Sequence, residues 1–224
     1  MQYQWILFDA DDTLFDFDAF AGLRLAFARF ELDFAEQDFN LFLDVSMPLW
    51  RDYQEGRISS AELQRRRFEH WAARHGLDAS VINEAFVEAM ADSSRLLPGA
   101  AELLEALAGK ATLGIITNGF TQMQQPRLDN NKVSHHFEHL VISEQVGVAK
   151  PHPDIFEHTF KLLGNPPKDN ILMVGDNPHA DVQGGINAGI HTCWLNHHGQ
   201  ARPEGITPHH EVQDLHQLRA LLEA

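Results

Sequence analysis

The chain has 224 residues, 44% hydrophobic and 22% charged, the composition of an ordinary globular protein with room for one large domain or one domain carrying a modest insertion. Its formal net charge of −15 argues against a nucleic-acid backbone or an anionic membrane surface as partner, since both call for a basic patch. The single cysteine, Cys193, excludes an intramolecular disulfide and fits a reducing compartment; no apolar run approaches the roughly 20 residues that span a bilayer, and no basic-then-apolar leader opens the chain, so a cytoplasmic location is expected.

Taken in chain order, the first element is the apolar run Trp5-Ile6-Leu7-Phe8. A run apolar on both faces reads as a buried parallel strand. It ends in Asp9, Asp11 and Asp12, followed by Thr13. Open α/β sheets place ligand sites at the carboxyl ends of strands. Carboxylates crowded there are costly unless a cation or a proton neutralises them. The strand end therefore predicts a divalent metal and a carboxylate that does chemistry.

Residues 16–94 show helical patterning with little strand signal, enough for about four helices. Ser59-Ser60-Ala61-Glu62 fits a capping box, the period continues through Leu63, Arg67, Phe68 and Trp71, and Gly76 is a plausible stop. From Leu97 the rhythm changes. A short helix after Pro98-Gly99 leads to a strand at Leu113–Ile116, which ends in Thr117-Asn118-Gly119. After a helix come the strand Leu140–Ile142, a helix near 154–163, the strand Ile171–Val174 ending in Gly175-Asp176, a further helix, the strand His191–Leu195 and a last helix near 212–222. Alternating strands and helices mean a parallel sheet with helices on both faces. The expected fold is α/β, a Rossmann-like parallel sheet core of residues 1–15 and 95–224, interrupted after its first strand by an all-helical domain of residues 16–94. Fourteen histidines scatter along the chain. The adjacent pairs His135-His136, His197-His198 and His209-His210 should point apart, and none has helical i, i+4 spacing with a third ligand, so surface loops are expected to carry them. No Gly-x-Gly-x-x-Gly follows a strand, so a nucleotide cofactor is not indicated.

In a parallel sheet all carboxyl ends point the same way, so Asp9 and Asp11, Thr117 and Asn118, and Asp176 can converge, with Lys150-Pro151 on a loop after the third strand. This set resembles the haloacid-dehalogenase-like hydrolases, a superfamily dominated by phosphatases. Its four motifs stand here as Asp9-Ala10-Asp11-Asp12-Thr13, Thr117, Lys150 and Gly175-Asp176 with Asp181. The resemblance implies Asp9 as nucleophile, forming an aspartyl-phosphate and splitting one hard step into two. It implies Mg2+, for which Mn2+ can substitute, held by a side-chain oxygen of Asp9, the carbonyl of Asp11 and a side-chain oxygen of Asp176, with Asp181 orienting a metal-bound water. Lys150 supplies a point charge near nucleophile and phosphate, and the Thr117 hydroxyl and Asn118 backbone N–H bind phosphoryl oxygens. Asp11 is the proposed general acid, because an alkoxide leaving group needs a proton and carboxylate crowding keeps one carboxyl protonated. Asp12 reads as a solvated loop residue or a turn former, and Thr13 as a side chain bonding to loop backbone.

The helical insertion resembles the cap of this superfamily, which selects the leaving group. The stretches 49–59, 117–121, 141–151 and 193–196, with the opening Phe8 to Phe17, resemble the bacterial pyrimidine 5′-nucleotidases. That implies a phosphatase acting on UMP, dUMP, dTMP and non-canonical analogues, with a small-molecule nucleotide as partner; a monomer or small homo-oligomer is expected. A base needs a flat aromatic surface. Of Phe20, Phe27, Trp50, Tyr53 and Trp71, most are expected in the core of a small helical domain, and Trp50 and Tyr53 are the candidates for stacking. A sugar-phosphate phosphatase or phosphomutase of the same fold stays open. So does a phospho-receiver domain, against which stand the chain's length, the third strand ending in Ser143 and the helical insertion.

Overall fold

The computed structural model describes residues 2–224. Strand β1 (Trp5–Phe8) is followed by five helices: α1 (Ala19–Ala28), α2 (Glu36–Gln54), α3 (Ser60–Arg66), α4 (Glu69–His75) and α5 (Ala79–Ser93). Then come α6 (Ala100–Leu107), β2 (Thr112–Thr117), α7 (Thr121–Asn130), β3 (Phe137–Ile142), α8 (Ser143–Val146) and α9 (Pro153–Leu162). The chain closes with β4 (Ile171–Gly175), α10 (Gly184–Ala188), β5 (His191–Leu195), β6 (His210–Val212) and α11 (Leu215–Glu223). It divides into two compact units, residues 1–16, 95–119 and 131–224 on one side and residues 17–94 and 120–130 on the other.

The first unit is a Rossmann-like α/β fold. Its six-stranded sheet runs β3-β2-β1-β4-β5-β6, and every pairing is parallel. Strand β1 lies in the middle because its Ile6, Leu7 and Phe8 are almost wholly buried, and a strand apolar on both faces is stable only where both faces are covered. Leu7, Ile116, Val141 and Met173 share one apolar cluster with Ile155, Phe156 and Phe160 of α9. Strand order reverses across β1: β2 lies on one side and β4 on the other. That is the switch point at which such sheets open a crevice for a ligand. In register Phe8 pairs with Val174, so Asp9 emerges level with Gly175, one residue before Asp176.

Strand β6 is not apparent in the sequence, where His210 and Glu211 fall in no element and Val212 reads as the start of the last helix. It has three residues, one of them the exposed Glu211, and it exists because β5 offers an edge in register from Cys193–His210 to Leu195–Val212. The Tyr3 hydroxyl bonds His191 Nδ1 and His210 Nε2, each at 2.8 Å, and so fastens that edge to the N-terminal segment.

The second unit is helical. Its core is aromatic: Phe27, Phe34 and Trp71 pack together, and Phe42, Phe68 and Phe86 form a second cluster. The Ser59 capping box is present, with Ser59 Oγ accepting from Glu62 N–H and the Glu62 carboxylate accepting from Ser59 N–H at 3.0 Å. Gly76 ends α4 at φ +67°, a left-handed position that a Cβ would strain. The single helical period read from Leu63 to Trp71 is broken into α3 and α4 at Arg67 and Phe68. Arg67 is buried there, bonded to Asn83 Oδ1 and stacked on Phe68, Phe86 and Phe120. Helix α7 belongs to this unit, although its position between β2 and β3 suggested the sheet core. Its burial is supplied by packing against α5.

The capping box carries a direct test. Ser59→Ala removes one acceptor for the first turn of α3 and is expected to cost about 1 kcal/mol, read as a lower denaturant midpoint for loss of helix signal. An unchanged midpoint would show that the cap does not contribute.

Candidate active site

Five segments of the first unit bring the polar groups together. The β1 end carries Asp9; its backbone N–H donates to Val174 O at 2.8 Å, which extends the ladder one residue past the strand. The chain then reverses through a tight turn in which Asp12 adopts φ +51° and donates its N–H to Phe15 O. Aspartate tolerates this left-handed position, so Asp12 is the turn former its residue type implied. The His197 ring bonds the Asp12 carbonyl and braces the same turn.

Lys150 is the centre of the site. It is 1% exposed, and its Nζ donates to Asp9 Oδ1 at 2.7 Å, Asp181 Oδ1 at 2.6 Å and the Ile116 carbonyl of β2 at 2.6 Å. An ammonium has three N–H bonds, and these three acceptors use them all. The charge of Lys150 therefore reaches a ligand through space, and its hydrogen bonds serve to hold Asp9 and Asp181. Burial would lower the Lys150 pKa, but the carboxylates of Asp181 and Asp9 outweigh it and raise the group to about 12.

Asn118 holds the other end of this lysine. Its side chain donates Nδ2–H to the Lys150 carbonyl at 2.9 Å and accepts the Lys150 N–H on Oδ1 at 2.8 Å. The expected role of Asn118 is through its backbone; in the fold its side chain makes a two-point clamp on the lysine's peptide groups. Thr117 Oγ1 accepts from Gly119 N–H at 3.0 Å, which orients the buried hydroxyl at the end of β2.

Asp176 follows β4. Its N–H donates to Thr13 Oγ1 at 3.0 Å, and its carbonyl accepts from the Trp194 indole N–H at 2.8 Å. Thr13, read from the sequence as a loop hydrogen-bonder, thus bonds the backbone of a second strand end, and Trp194 is a support that local pattern could not reveal. Asp181 lies on a widened helical turn, Pro178–Gln183, and is 1% exposed. Widened turns of this kind often mark functional sites. Asn177 Oδ1 caps this turn by accepting from His179 and Ala180 N–H. The second Asp181 oxygen, Oδ2, accepts from Asn177 N–H at 3.0 Å. Residue 175 must be glycine because a Cβ there would collide with the Asp181 carboxylate.

Asp9, Asp176 and Asp181 each offer an oxygen, and these atoms lie within 4.8 Å of one another. Burial pushes the carboxyls of both Asp9 and Asp176 well above the usual carboxylate range. For Asp9 the Lys150 ammonium pulls the other way while Asp181 and Asp11 add to the rise; for Asp176 the charges of Asp181, Asp9 and Asp12 add to it. Three carboxylates against one ammonium leave excess negative charge, and an all-oxygen donor set suits a hard divalent cation. Both oxygens of Asp181 are already engaged, so Asp9 and Asp176 are the side chains fitted to hold such an ion, with Asp181 supporting them.

Trp50 and Tyr53 lie in the helical unit. Tyr53 is 8% exposed and belongs to the helical core, whereas Trp50 is half-buried, with its ring 5.2 Å from that of Phe120. Phe27 and Trp71 are core residues, as expected of most of the aromatic set.

A Rossmann-like sheet with carboxylates, a threonine and a lysine at its switch point defines a class of hydrolase. The haloacid dehalogenase-like hydrolase family matches residues 3–189, and the chain belongs to it. Over 222 residues it is 50% identical to the pyrimidine 5′-nucleotidase YjjG of Escherichia coli, covering 99% of each chain. It is 33% identical to the pyrimidine 5′-nucleotidase PynA of Streptococcus pneumoniae, covering 100% of this chain and 96% of PynA. The crystal structure of Bacillus subtilis YfnB bound to magnesium superposes with a TM-score of 0.88 at 28% identity over the whole of both chains.

The raised carboxyls predict a pH dependence. In the unfolded chain an aspartate gives up its proton near pH 4, while in the fold Asp9 and Asp176 retain theirs to higher pH. The folded state then binds more protons, so their contribution favours folding at low pH and is lost as pH rises toward the raised values. For chelator-treated protein the Tm is expected to fall from slightly acidic to slightly alkaline buffer, less so in Asp176→Asn. Added Mg2+ should raise the Tm more in the alkaline buffer, where the carboxylates are ionised, and a Mg2+ effect independent of pH would contradict the assignment.

Proposed function

We propose that the protein is a Mg2+-dependent phosphatase that hydrolyses pyrimidine nucleoside 5′-monophosphates, UMP, dUMP, dTMP and non-canonical analogues, through an aspartyl-phosphate on Asp9. The observation that carries this reading is the Lys150 ammonium bonded to Asp9 at the strand switch point, in a chain half identical to a pyrimidine 5′-nucleotidase from end to end.

Asp9, the carbonyl of Asp11 and Asp176 would hold the ion, which supplies when bound the positive charge that lets a carboxylate meet a phosphate dianion. Lys150 fixes the rotation of the Asp9 carboxylate and adds a second positive charge beside it. An Asp9 oxygen bonds to phosphorus as the bond from phosphorus to the nucleoside 5′-oxygen breaks. Asp11 donates a proton to that leaving oxygen, which departs as the alcohol. In the second half Asp11 takes a proton from water, the water oxygen bonds to phosphorus, and Asp9 and inorganic phosphate are released. The Thr117 hydroxyl and the Asn118 backbone N–H bind phosphoryl oxygens throughout. Such acid–base help is worth roughly 10²–10⁴-fold in rate. Helical-unit residues choose the nucleoside, and Trp50, whose ring is not fully buried, is the stacking face we assign to the base.

A Mg2+-dependent phosphate-release panel over nucleoside monophosphates and sugar phosphates tests the reading. The pyrimidine nucleotides should lead, Asp9→Asn should be folded and inactive, and Trp50→Ala should lose UMP hydrolysis while keeping p-nitrophenyl phosphate hydrolysis. A preference for sugar phosphates, or turnover by Asp9→Asn well above background, would overturn it. The proton donor has its own test. Asp11→Asn is expected to harm UMP far more than p-nitrophenyl phosphate, because a nitrophenolate leaves without a proton; equal losses would remove Asp11 from that role.

A further inference from the structure

Among the described residues, a second group of side chains could hold a metal: Glu105, His135 and His136, all in the sheet unit. Glu105 lies on α6, and the two histidines lie on the short helical turn Ser134–His136 that leads into β3. Adjacent residues of a three-residue turn leave it about 120° apart, so their side chains ordinarily diverge. Here the two imidazole rings instead lie 4.0 Å apart at 37°. His136 Nε2 is 3.5 Å from Glu105 Oε1, and one ligand atom from each of the three residues lies within 4.8 Å of the others. The His136 side chain is 6% exposed and that of Glu105 is 71% exposed. One ligand is thus anchored in the protein, and an exposed carboxylate can close from solvent.

We propose that Glu105, His135 and His136 form a transition-metal site, separate from the Asp9 carboxylates, that takes Zn2+ and ties α6 to the turn before β3. The donor chemistry separates the two sites. Two imidazole nitrogens and one carboxylate suit Zn2+, whereas the all-oxygen set at Asp9 suits Mg2+. Donors around a tetrahedral zinc lie about 3.3–3.4 Å apart, given bonds of about 2.0–2.1 Å. Glu105 and His135 are both exposed, so binding an ion requires only that their side chains draw in from solvent. Three protein ligands leave a coordination position for water. The elements joined are distant in sequence, so the site forms only in the folded chain, and Zn2+ stabilises the fold by mass action.

Calorimetric titration of Zn2+ into the full chain in saturating Mg2+ tests the proposal, with the Co2+ absorption spectrum as a report on coordination. One Zn2+ per chain is expected, accompanied by a rise in Tm. His135→Gln, His136→Gln and Glu105→Gln should each weaken binding by at least about tenfold while leaving Mg2+-dependent phosphate release intact. Asp176→Asn should bind Zn2+ like the unaltered protein. Absence of Zn2+ uptake, wild-type affinity in any of the three ligand variants, or loss of uptake in Asp176→Asn would each overturn the site.

Discussion

One buried ammonium group organises the sheet unit. Lys150 Nζ joins the end of β1 through Asp9, the body of β2 through the Ile116 carbonyl, and the turn after β4 through Asp181. Those three segments are neighbours only because the sheet reverses its strand order there, and the lysine is the cation that makes their carboxylates compatible. Removing one partner of such a buried network leaves an uncompensated charge, a loss of about 3–5 kcal/mol. Most nearby detail serves to keep the lysine and its acids in place. Asn118 clamps its peptide groups, Thr13 and Trp194 hold Asp176, and residue 175 lacks a side chain so that Asp181 can approach.

This arrangement also accounts for how a chain of net charge −15 can handle an anion. The field of the whole molecule repels a phosphate, so attraction has to be local, and in a low-dielectric site local charges count for most. Lys150 is nearly inaccessible and spends its hydrogen bonds on protein atoms, yet its charge stays beside the proposed nucleophile. Burial disfavours the ionised forms of Asp9, which the lysine bonds, and of Asp176, which it does not, and that is the electrostatic condition for a bound divalent cation.

The helical unit follows different physics. It has an aromatic core and a buried arginine that meets an asparagine carbonyl and three aromatic rings. A guanidinium suits such a place because it is planar, weakly hydrated and able to stack. The same arginine falls on the helical period from Leu63 to Trp71, which is why the sequence suggests one continuous helix where the fold has two. Periodicity records which residues face inward; it does not report a break whose flanking turns keep the same inward face.

Features set by neighbours in the chain were legible from the sequence: the apolar runs of the sheet, the Ser59 capping box, the Gly76 stop, and the placing of Asp9, Thr117 and Asp176 just at or past strand ends with Lys150 on a loop. Each depends on a local hydrogen bond, a local backbone angle or a repeat of two or 3.6 residues. The tertiary structure alone decided the pairing of β6 with β5, the membership of α7 in the helical unit, the use of the Asn118 side chain as a clamp on Lys150, and the meeting of His135 and His136 with Glu105. In each of these the partner lies far away in sequence, or the side chain turns against its local expectation. Which distant groups share a place is settled only when the core closes, because the burial that stabilises such a contact does not exist until then.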